Sequence, residues 1–163
     1  MSYRNKTFLI TGGAGSLGKA LIKQLTELEA NLVVFSRDEA KHAFLKQDFP
    51  NVKTYIGCVR DYERVLEVFN IVKPDYIIHA AALKRIDDGE VNESEFTKTN
   101  VDGSRNVAKA AIACGALKCM LVSTDKACLP ISNYGRGKAL AEGIFTSEDA
   151  KQDNTIFSIS SIR

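Results

Sequence analysis

The sequence predicts an α/β fold in which a doubly wound parallel sheet of about six strands carries helices on both faces. Strand-like and helix-like patterns alternate along the 163 residues, without a linker, repeat or low-complexity tract to divide them. The predicted strands are continuous apolar runs, which is typical of parallel strands buried on both faces. We therefore expect residues 1–163 to form a single domain.

The amino-terminal segment shows the strand, turn and helix that begin this alternation. Thr7–Thr11 is a β-branched and apolar run that ends at Gly12 and Gly13, and it predicts the first strand. Residues 16–28 predict the first helix, because apolar residues recur there at helical spacing. We expect that helix to bury one face, which consists of Leu17, Ala20, Leu21, Leu25 and Leu28.

The remaining elements follow in the same alternation. Further strands are predicted at residues 31–36, 52–56, 75–79, 118–123 and 155–159. Further helices are predicted at residues 38–46, 62–71, 96–114 and 134–145. Asp61 is expected to cap the start of its helix, and Gly115 is expected to end the helix before it.

Charge and cysteine content restrict the compartment and the partners. The sequence has twenty-two Lys and Arg residues and twenty Asp and Glu residues, and no basic run marks a nucleic-acid-binding segment. No stretch of about 18 apolar residues predicts a membrane span, and the first residues do not resemble a secretory signal. The cysteines, Cys58, Cys114, Cys119 and Cys128, lack the paired spacing of zinc sites. We therefore expect a cytoplasmic protein with reduced thiols and without a metal, membrane or nucleic-acid partner.

The turn after the first strand has the glycine spacing of a dinucleotide-binding fingerprint. Gly12, Gly15 and Gly18 lie between the predicted strand and helix, where backbone N–H groups and the positive helix end can reach a pyrophosphate. The predicted cofactor-binding residues of this segment are Thr11, Gly12, Gly15, Ser16, Leu17 and Gly18. The alternative interpretation is a tight turn whose glycines serve packing alone.

The end of the second strand indicates which cofactor is preferred. NAD sites usually carry a carboxylate at this point, whereas this sequence has Ser36 and Arg37. A hydroxyl and a guanidinium suit a 2′-phosphate, so NADP is favoured over NAD. Asp38 could supply the carboxylate of an NAD site, so NAD stays an alternative, although Asp38 can also serve as the N-cap of the next helix. Arg37 can also be a solvated surface charge.

Polar residues follow the fourth and fifth predicted strands, whose carboxyl ends border the ligand crevice of such sheets. Residues 80–84 are three alanines, a leucine and Lys84, and residues 123–127 include Thr124, Asp125 and Lys126. Tyr134 and Lys138 are one helical turn apart and share a face. An ammonium near a phenol stabilises the phenolate, which makes this pair a candidate acid and base for a hydroxyl group.

These segments resemble the extended short-chain dehydrogenases/reductases, and the resemblance covers residues 7–163. Within that superfamily, residues 36–39, 80–84 and 123–127 are similar to the NADP-dependent UDP-N-acetylglucosamine 4,6-dehydratases of polysaccharide biosynthesis. The Asp125-Lys126 pair after Thr124 is the most specific signal, because epimerases and reductases of the superfamily usually lack it. The resemblance implies a Rossmann-type domain that binds NADP and a UDP-sugar substrate.

The resemblance also implies a role for each residue. Tyr134, supported by Lys138 and Thr124, would remove the O4 proton while a hydride leaves C4. Lys126 would remove the C5 proton and Asp125 would protonate the departing 6-hydroxyl, after which the hydride returns to C6. A lysine base must be neutral, and the other interpretation of Asp125 and Lys126 is a loop ion pair.

Further contacts are implied by position. Ala80, Ala81 and Ala82 would line the cofactor, and Cys58 and Val59 occupy the adenine position, where the family usually has aspartate. Lys84 and Asn100 are assigned to the substrate side, although Lys84 can also be a loop charge and Asn100 a mid-helix polar residue. His79 is expected to be a satisfied core residue, and neither His79 nor His42 shows a pattern for catalysis.

The resemblance leaves three functions open. The first is the dehydratase, the second is a UDP-sugar 4-epimerase or 4-reductase, and the third is a non-catalytic NADP-binding fragment. The segment at residues 85–90 is more acidic than is usual for the family, and we expect the substrate-binding subdomain that follows in the family to be absent after Arg163. Association into a homo-oligomer is expected through the helices at 96–114 and 134–145, where the superfamily commonly dimerises.

Overall fold

The computed structural model, which describes residues 3–147 and 155–162, contains one parallel six-stranded sheet. The strands lie in the order β3-β2-β1-β4-β5-β6, and every neighbouring pair is parallel. They are β1 (Thr7–Thr11), β2 (Asn31–Ser36), β3 (Lys53–Ile56), β4 (Tyr76–His79), β5 (Lys118–Thr124) and β6 (Ile156–Ile162). The predicted fold class is confirmed. The direction of chain progression reverses between β1 and β4, and at such a point a crevice opens beyond the carboxyl ends of the strands.

Helices connect the strands and cover both faces of the sheet. They are α1 (Ser16–Glu27), α2 (Glu39–Asp48), α3 (Tyr62–Val72), α4 (Ile86–Val91), α5 (Glu93–Phe96), α6 (Gly103–Ala113) and α7 (Asn133–Thr146). The Asp38 and Asp61 side chains accept hydrogen bonds from the backbone N–H groups of Lys41 and Arg64, so both residues are N-caps. Gly115 follows α6 with a φ of +72°, as a residue that ends a helix does.

The two faces of the sheet carry separate hydrophobic clusters. Leu9 of β1 belongs to the cluster beneath α3, α6 and α7, which includes Phe35, Ile77 and Leu121. Phe8 and Ile10 belong to the cluster on the other face, which includes Ile22 of α1 and Leu45 of α2. This alternation follows from the two-residue period of a strand, and it shows that β1 is buried on both sides.

The buried face of α1 matches the predicted one only in part, since Leu25 is buried as predicted and Ala20 is exposed. The structure buries Gly18, Ile22 and Leu25, whereas Leu17 is 36% exposed and Leu28 is 47% exposed. The cause is a backbone contact, since a Cβ atom on Gly18 would lie 2.0 Å from the carbonyl oxygen of Gly13. That contact fixes the rotation of α1 about its axis and leaves Leu17 at the ligand crevice instead of in the core.

The predicted helix at 96–114 is also not a single α-helix. It consists of the end of α5, a π-helical segment at Thr97–Asp102, and α6. Three consecutive residues of the π-helical segment, Thr99, Asn100 and Val101, are buried. Such wide turns occur mostly as short insertions inside helices, frequently at functional sites. Two short helices precede this segment: α4 lies largely in the acidic segment at residues 85–90, and α5 ends at Phe96, where the predicted helix begins.

An apolar groove runs between α6 and α7, the helices through which association is expected. Its walls include Ala108, Ile112, Leu140 and Ile144, and Leu140 is 59% exposed. Homo-oligomer formation stays a prediction. Over the described ranges, 3–147 and 155–162, no helix combines the length and apolarity that crossing a bilayer requires.

Replacing Gly18 by alanine tests the contact that sets the orientation of α1. We expect Gly18→Ala to lower the free energy of unfolding by about 1–3 kcal/mol, because the added methyl group would overlap the Gly13 backbone. Gly143→Ala is the matched control, since a Cβ atom there would meet nothing within 4 Å. In α7 that change should be neutral or stabilise by up to about 1 kcal/mol. Urea unfolding of the unliganded chain measures both, and equal midpoints would contradict the expected backbone constraint.

Candidate active site

A cleft of about 560 Å³ opens where the chain order of the sheet reverses. Its walls come from the turn after β1, the ends of β2, β4 and β5, and the first turns of α7. A larger depression of about 740 Å³ lies beside Thr7, Asn31 and Lys53, at the opposite end of the strands. None of the predicted site residues borders that depression. The smaller cleft is therefore the candidate active site.

Most of the predicted site residues meet in this cleft. Those that line it are Gly12, Gly15, Ser16, Leu17, Gly18, Ser36, Arg37, Cys58, Val59, Ala80, Ala81, Ala82, Lys84, Thr124, Tyr134 and Lys138. Four others do not border it, namely Thr11, Asn100, Asp125 and Lys126. Glycine and alanine dominate the part of the cleft formed by the turn after β1 and the end of β4, so a ligand there would contact mainly backbone.

The turn after β1 holds its shape because it lacks side chains. Gly12 has a φ of +69°, and a Cβ atom on it would lie 2.8 Å from the backbone N and Cα of Ala81. Its N–H donates to the carbonyl of Phe35 over 2.8 Å, which ties the turn to β2. Gly15, the N-cap of α1, provides no capping side chain, and the first turn of α1 has no acidic residue. The N–H groups and positive end of α1 are thus available to an anionic ligand.

The end of the cleft beside the end of β2 carries two cations, Arg37 and Lys41. Arg37 was predicted to lie there, whereas Lys41 was not, although it is one helical turn further on. Asp38 also borders the cleft, but its carboxylate accepts from the Lys41 N–H over 3.0 Å and from Lys41 Nζ over 2.9 Å. The hydrogen bonds from Lys41 lower the pKa of Asp38. Asp38 is therefore a helix cap, and the charge available to a ligand here is positive.

A chain of buried polar groups lies behind the glycine turn. The Ala81 N–H donates to Thr11 Oγ1 over 3.3 Å, and Thr11 Oγ1 lies 2.7 Å from His79 Nδ1. His79 Nε2 lies 3.1 Å from Ser104 Oγ, whose hydroxyl donates to the Asn100 carbonyl over 2.6 Å. Since Ser104 uses its proton on that carbonyl, His79 donates from Nε2 and accepts at Nδ1. Complete burial lowers the pKa of His79 to about 3, so the ring is neutral and is a satisfied core residue.

Thr11 and Asn100 therefore lie behind the cleft, and their predicted contacts with the cofactor and the substrate stay predictions. Thr11 is fully buried and bonded to His79. Asn100 is 1% exposed, and its side-chain amide accepts from the Leu83 N–H and donates to the Leu83 carbonyl, each over 2.9 Å. This paired bond fixes the loop that carries Ala82 and Lys84 along the cleft.

The other end of the cleft holds the predicted acid and base. Lys138 is 3% exposed, and its ammonium donates to the Val122 carbonyl over 2.7 Å. Burial lowers the pKa of Lys138 to about 8, against the opposing effect of Glu142. Tyr134 and Thr124 border the same space. The sequence order of β5 and α7 thus brings a phenol, a hydroxyl and a buried ammonium to one place.

Asp125 and Lys126 form an ion pair on the short 3₁₀ turn that follows β5. Lys126 Nζ lies 3.4 Å from Asp125 Oδ1, and both side chains are 49% exposed. The Thr124 hydroxyl donates to the same carboxylate oxygen over 3.0 Å, and this bond and the nearby ammonium lower the pKa of Asp125. The turn packs on α7, because a Cβ atom on Gly135 would lie 2.3 Å from the Lys126 carbonyl. The pair is therefore next to the cleft but outside its walls.

The sequence does not predict the position of Thr99 in the cleft or the contact of Cys58 with Arg60. Thr99 of the π-helical segment borders the cleft and is 3% exposed, and its hydroxyl oxygen has no hydrogen-bond partner among the described residues. A buried hydroxyl without a partner is costly, and a bound polar group would satisfy it. Cys58, at the position of the family's aspartate, is half-buried, and its sulfur accepts from Arg60 Nε over 3.4 Å. An alternating apolar pattern gives no signal for either arrangement.

Comparison with known proteins agrees with this geometry. A family described as "Polysaccharide biosynthesis protein" matches residues 8–163. The UDP-N-acetylglucosamine 4,6-dehydratase (inverting) of Campylobacter jejuni, strain NCTC 11168, is 40% identical over 149 residues, which cover 89% of this chain and 44% of that protein. The UDP-glucose 4-epimerase of Rickettsia massiliae is 41% identical over 145 residues, which cover 85% of this chain and 42% of that protein. The chain spans about half the length of the curated relatives it matches.

Solved structures share the fold over nearly the whole chain. The X-ray structure of Pen from Bacillus thuringiensis has a TM-score of 0.92 at 33% identity and covers 99% of this chain and 51% of that one. The Bordetella bronchiseptica enzyme WbmG, solved in complex with NAD, has a TM-score of 0.79 at 25% identity over 95% of this chain and 52% of that one. The doubly wound sheet found here is thus shared with these proteins.

Lys138→Met tests the burial of the ammonium. The fall in pKa from 10.5 to about 8 corresponds to a destabilisation of about 3 kcal/mol by the charged form. Because the folded-state pKa is the lower one, this destabilisation is full below about pH 8 and disappears as the pH rises towards 10.5. The stability of Lys138→Met relative to the native chain should therefore decrease by about 2 kcal/mol between about pH 7 and about pH 9.5.

Denaturant unfolding at several pH values measures this difference. Lys109→Met, on the exposed side of α6, is the control, and its stability relative to the native chain should stay flat over the same range. A flat difference for Lys138→Met as well would show that the Lys138 ammonium is solvated.

Proposed function

Because the chain belongs to the polysaccharide biosynthesis protein family, we propose that it carries the cofactor-binding domain of a nucleotide-sugar 4,6-dehydratase that uses NADP and a substrate like UDP-N-acetylglucosamine. The observation that carries the proposal is the arrangement of one continuous cleft. Arg37 and Lys41 lie at one end, the glycine turn lies along the middle, and Tyr134 and Lys138 lie at the other end. A dinucleotide has its charges and its reactive ring in the same order.

Several residues fit the proposed cofactor. The glycine turn would receive the pyrophosphate on the N–H groups of α1, and Arg37 and Lys41 would pair with a 2′-phosphate. Ala80, Ala81 and Ala82 leave the cleft open beside the turn, and the orphaned Thr99 hydroxyl would gain a partner. The chemistry that NADP supplies when bound is reversible hydride acceptance.

The chain's own groups would handle the protons of the first step. The Tyr134 phenol is the group that would remove the O4 proton of the sugar, and the Lys138 ammonium, fixed on the Val122 carbonyl, supplies the positive charge that favours a phenolate. Thr124 would hold the same hydroxyl of the sugar by a hydrogen bond. In the free chain its proton is directed to Asp125, so binding of the sugar requires the Thr124 hydroxyl to reorient.

The elimination of water needs a base and an acid, for which we propose Lys126 and Asp125. As an ion pair they hold one mobile proton between them, and its transfer from the ammonium to the carboxylate gives the neutral amine and the carboxylic acid together. The two side chains form an ion pair at half exposure, so this transfer requires that water be excluded from the turn when the substrate is bound. Packing of the turn on the first residues of α7 brings it close to Tyr134.

A 4-epimerase is the second candidate, and the similarity to the Rickettsia epimerase favours it. An epimerase would use Thr124, Tyr134 and Lys138 in the same way but would not need Asp125 and Lys126. A binding domain without catalysis is the third candidate. It would bind NADPH and would be indifferent to Tyr134→Phe.

Turnover of UDP-N-acetylglucosamine with NADP distinguishes these functions. In the whole protein that contains this chain, we expect the sugar nucleotide to lose one water, as measured by mass spectrometry. Asp125→Asn and Lys126→Met should abolish water loss, because each removes one proton-transfer group, while binding of NADPH is retained. Arg136→Gln, an exposed residue of α7, is the control and should leave turnover unchanged. A product of unchanged mass with inverted C4 would replace the dehydratase by the epimerase.

Affinity for the two reduced cofactors tests the positive end of the cleft. Arg37→Gln and Lys41→Gln should each weaken NADPH binding by about tenfold, the loss of one charge-assisted hydrogen bond, and leave NADH binding within about twofold. Lys23→Gln, on the exposed face of α1, should change neither affinity. Quenching of intrinsic tyrosine fluorescence or calorimetry measures both affinities. Equal binding of NADPH and NADH by the native chain would overturn the preference for NADP.

A further inference from the structure

His42 lies directly behind the end of the cleft that carries Arg37 and Lys41. It is on the first turns of α2 and is 4% exposed. Its Nε2 atom lies 2.6 Å from the hydroxyl oxygen of Ser36, which ends β2 and borders the cleft. His42 lies in no pattern that indicates catalysis, and none of the proposed chemistry uses it.

The contact decides what the Ser36 hydroxyl can offer to a ligand. A serine hydroxyl has one proton to donate. If His42 Nε2 accepts that proton in a hydrogen bond, the Ser36 oxygen faces the cleft with lone pairs, which repel a phosphate. If Nε2 carries the proton and donates it to Ser36, the serine can donate its own proton to a phosphate oxygen. The imidazole tautomer therefore sets whether Ser36 acts as a donor.

We propose that His42 is a specificity-determining residue that acts through Ser36, by donating from Nε2 so that the Ser36 hydroxyl donates to the 2′-phosphate of the cofactor. This inference rests on the proposed binding of NADP in the cleft. His42 is a positioning residue, since Ser36 stands between it and the ligand. A cofactor without the 2′-phosphate makes no demand on the Ser36 proton, so the effect is confined to the phosphorylated form.

The charges around α2 suit a neutral ring that changes tautomer. Burial and Lys46 lower the pKa of His42, against the opposing effects of Asp38 and Glu39. A neutral imidazole carries its single proton on either nitrogen, and a phosphate at Ser36 selects the form with the proton on Nε2. Arg37 and Lys41 provide the charge that attracts the phosphate, and His42 provides the direction of one hydrogen bond.

Two substitutions at position 42 separate this function from a packing function. His42→Leu fills the space without a donor, whereas the side-chain amide of His42→Gln can donate to Ser36. We expect His42→Leu to weaken NADPH binding by up to about tenfold, because the Ser36 hydroxyl loses the donor that holds its own proton towards the phosphate, and to leave NADH binding within about twofold. His42→Gln should retain most of the affinity of the native chain for NADPH. Titration of the purified chain with each reduced cofactor measures these affinities.

The outcomes distinguish this inference from the proposed function on which it rests. A native chain that binds NADPH no better than NADH overturns the proposed cofactor, whatever the variants do. A native preference for NADPH that survives His42→Leu overturns only the function of His42. Equal loss of NADPH and NADH binding in His42→Leu would show that His42 serves packing alone, and that result also overturns the inference.

A measurement on the native chain covers the case in which His42→Leu does not fold. Nitrogen-15 NMR of the histidine ring reports which nitrogen carries the proton. With 2′,5′-ADP as the probe we expect His42 to carry it on Nε2, and 5′-AMP, which differs only in lacking the 2′-phosphate, is the matched control. A proton confined to Nδ1 in the 2′,5′-ADP complex would overturn the inference.

Discussion

The candidate site depends on how closely the backbone of the first turn approaches its neighbours. Gly12 lies against the backbone of Ala81, and Gly18 lies against the backbone of Gly13, at separations that leave no room for a Cβ atom. The first contact brings the loop after β4 beside the turn. The second sets the rotation of α1 and directs its free N–H groups along the cleft. The geometry available to a ligand is therefore fixed by contacts that involve no functional side chain.

The buried polar chain from Thr11 to Asn100 extends this constraint across the sheet. A buried imidazole without partners would cost free energy, but both nitrogens of His79 are bonded, so the ring connects β4 to β1 and to α6. Asn100 then holds Leu83 at both backbone groups. Because the chain of bonds is directional, an ionised His79 would break it, and complete burial keeps the ring neutral. The core thus positions the loop that borders the cleft.

Local patterns predicted much of this structure, and long-range contacts account for the rest. The parallel sheet and β1 follow from the β-branched runs. The cap at Asp61 follows from N-cap chemistry, and the helix end at Gly115 follows from the positive φ that glycine adopts readily. All of these signals depend on residues close in sequence. Most of the predicted site residues meet because parallel strands bring their carboxyl ends to one edge. The buried face of α1 was predicted only in part, and the bonds of Asn100 with Leu83 were not predicted, since each arrangement depends on a partner that sequence periodicity does not identify.

Lys126 and Lys138, the two lysines near Tyr134, show why position in the sequence does not determine chemistry. Lys138 is buried, and burial disfavours the charged form, so its pKa falls to about 8 although its ammonium donates to a carbonyl. Lys126 is half exposed, and its ammonium lies 3.4 Å from the Asp125 carboxylate. Proton abstraction by Lys126 therefore requires a change in its surroundings. The proposed function of Lys138, which is to place a positive charge near Tyr134, requires no such change. If Lys126 and Asp125 eliminate water, their turn must be covered when the substrate is bound.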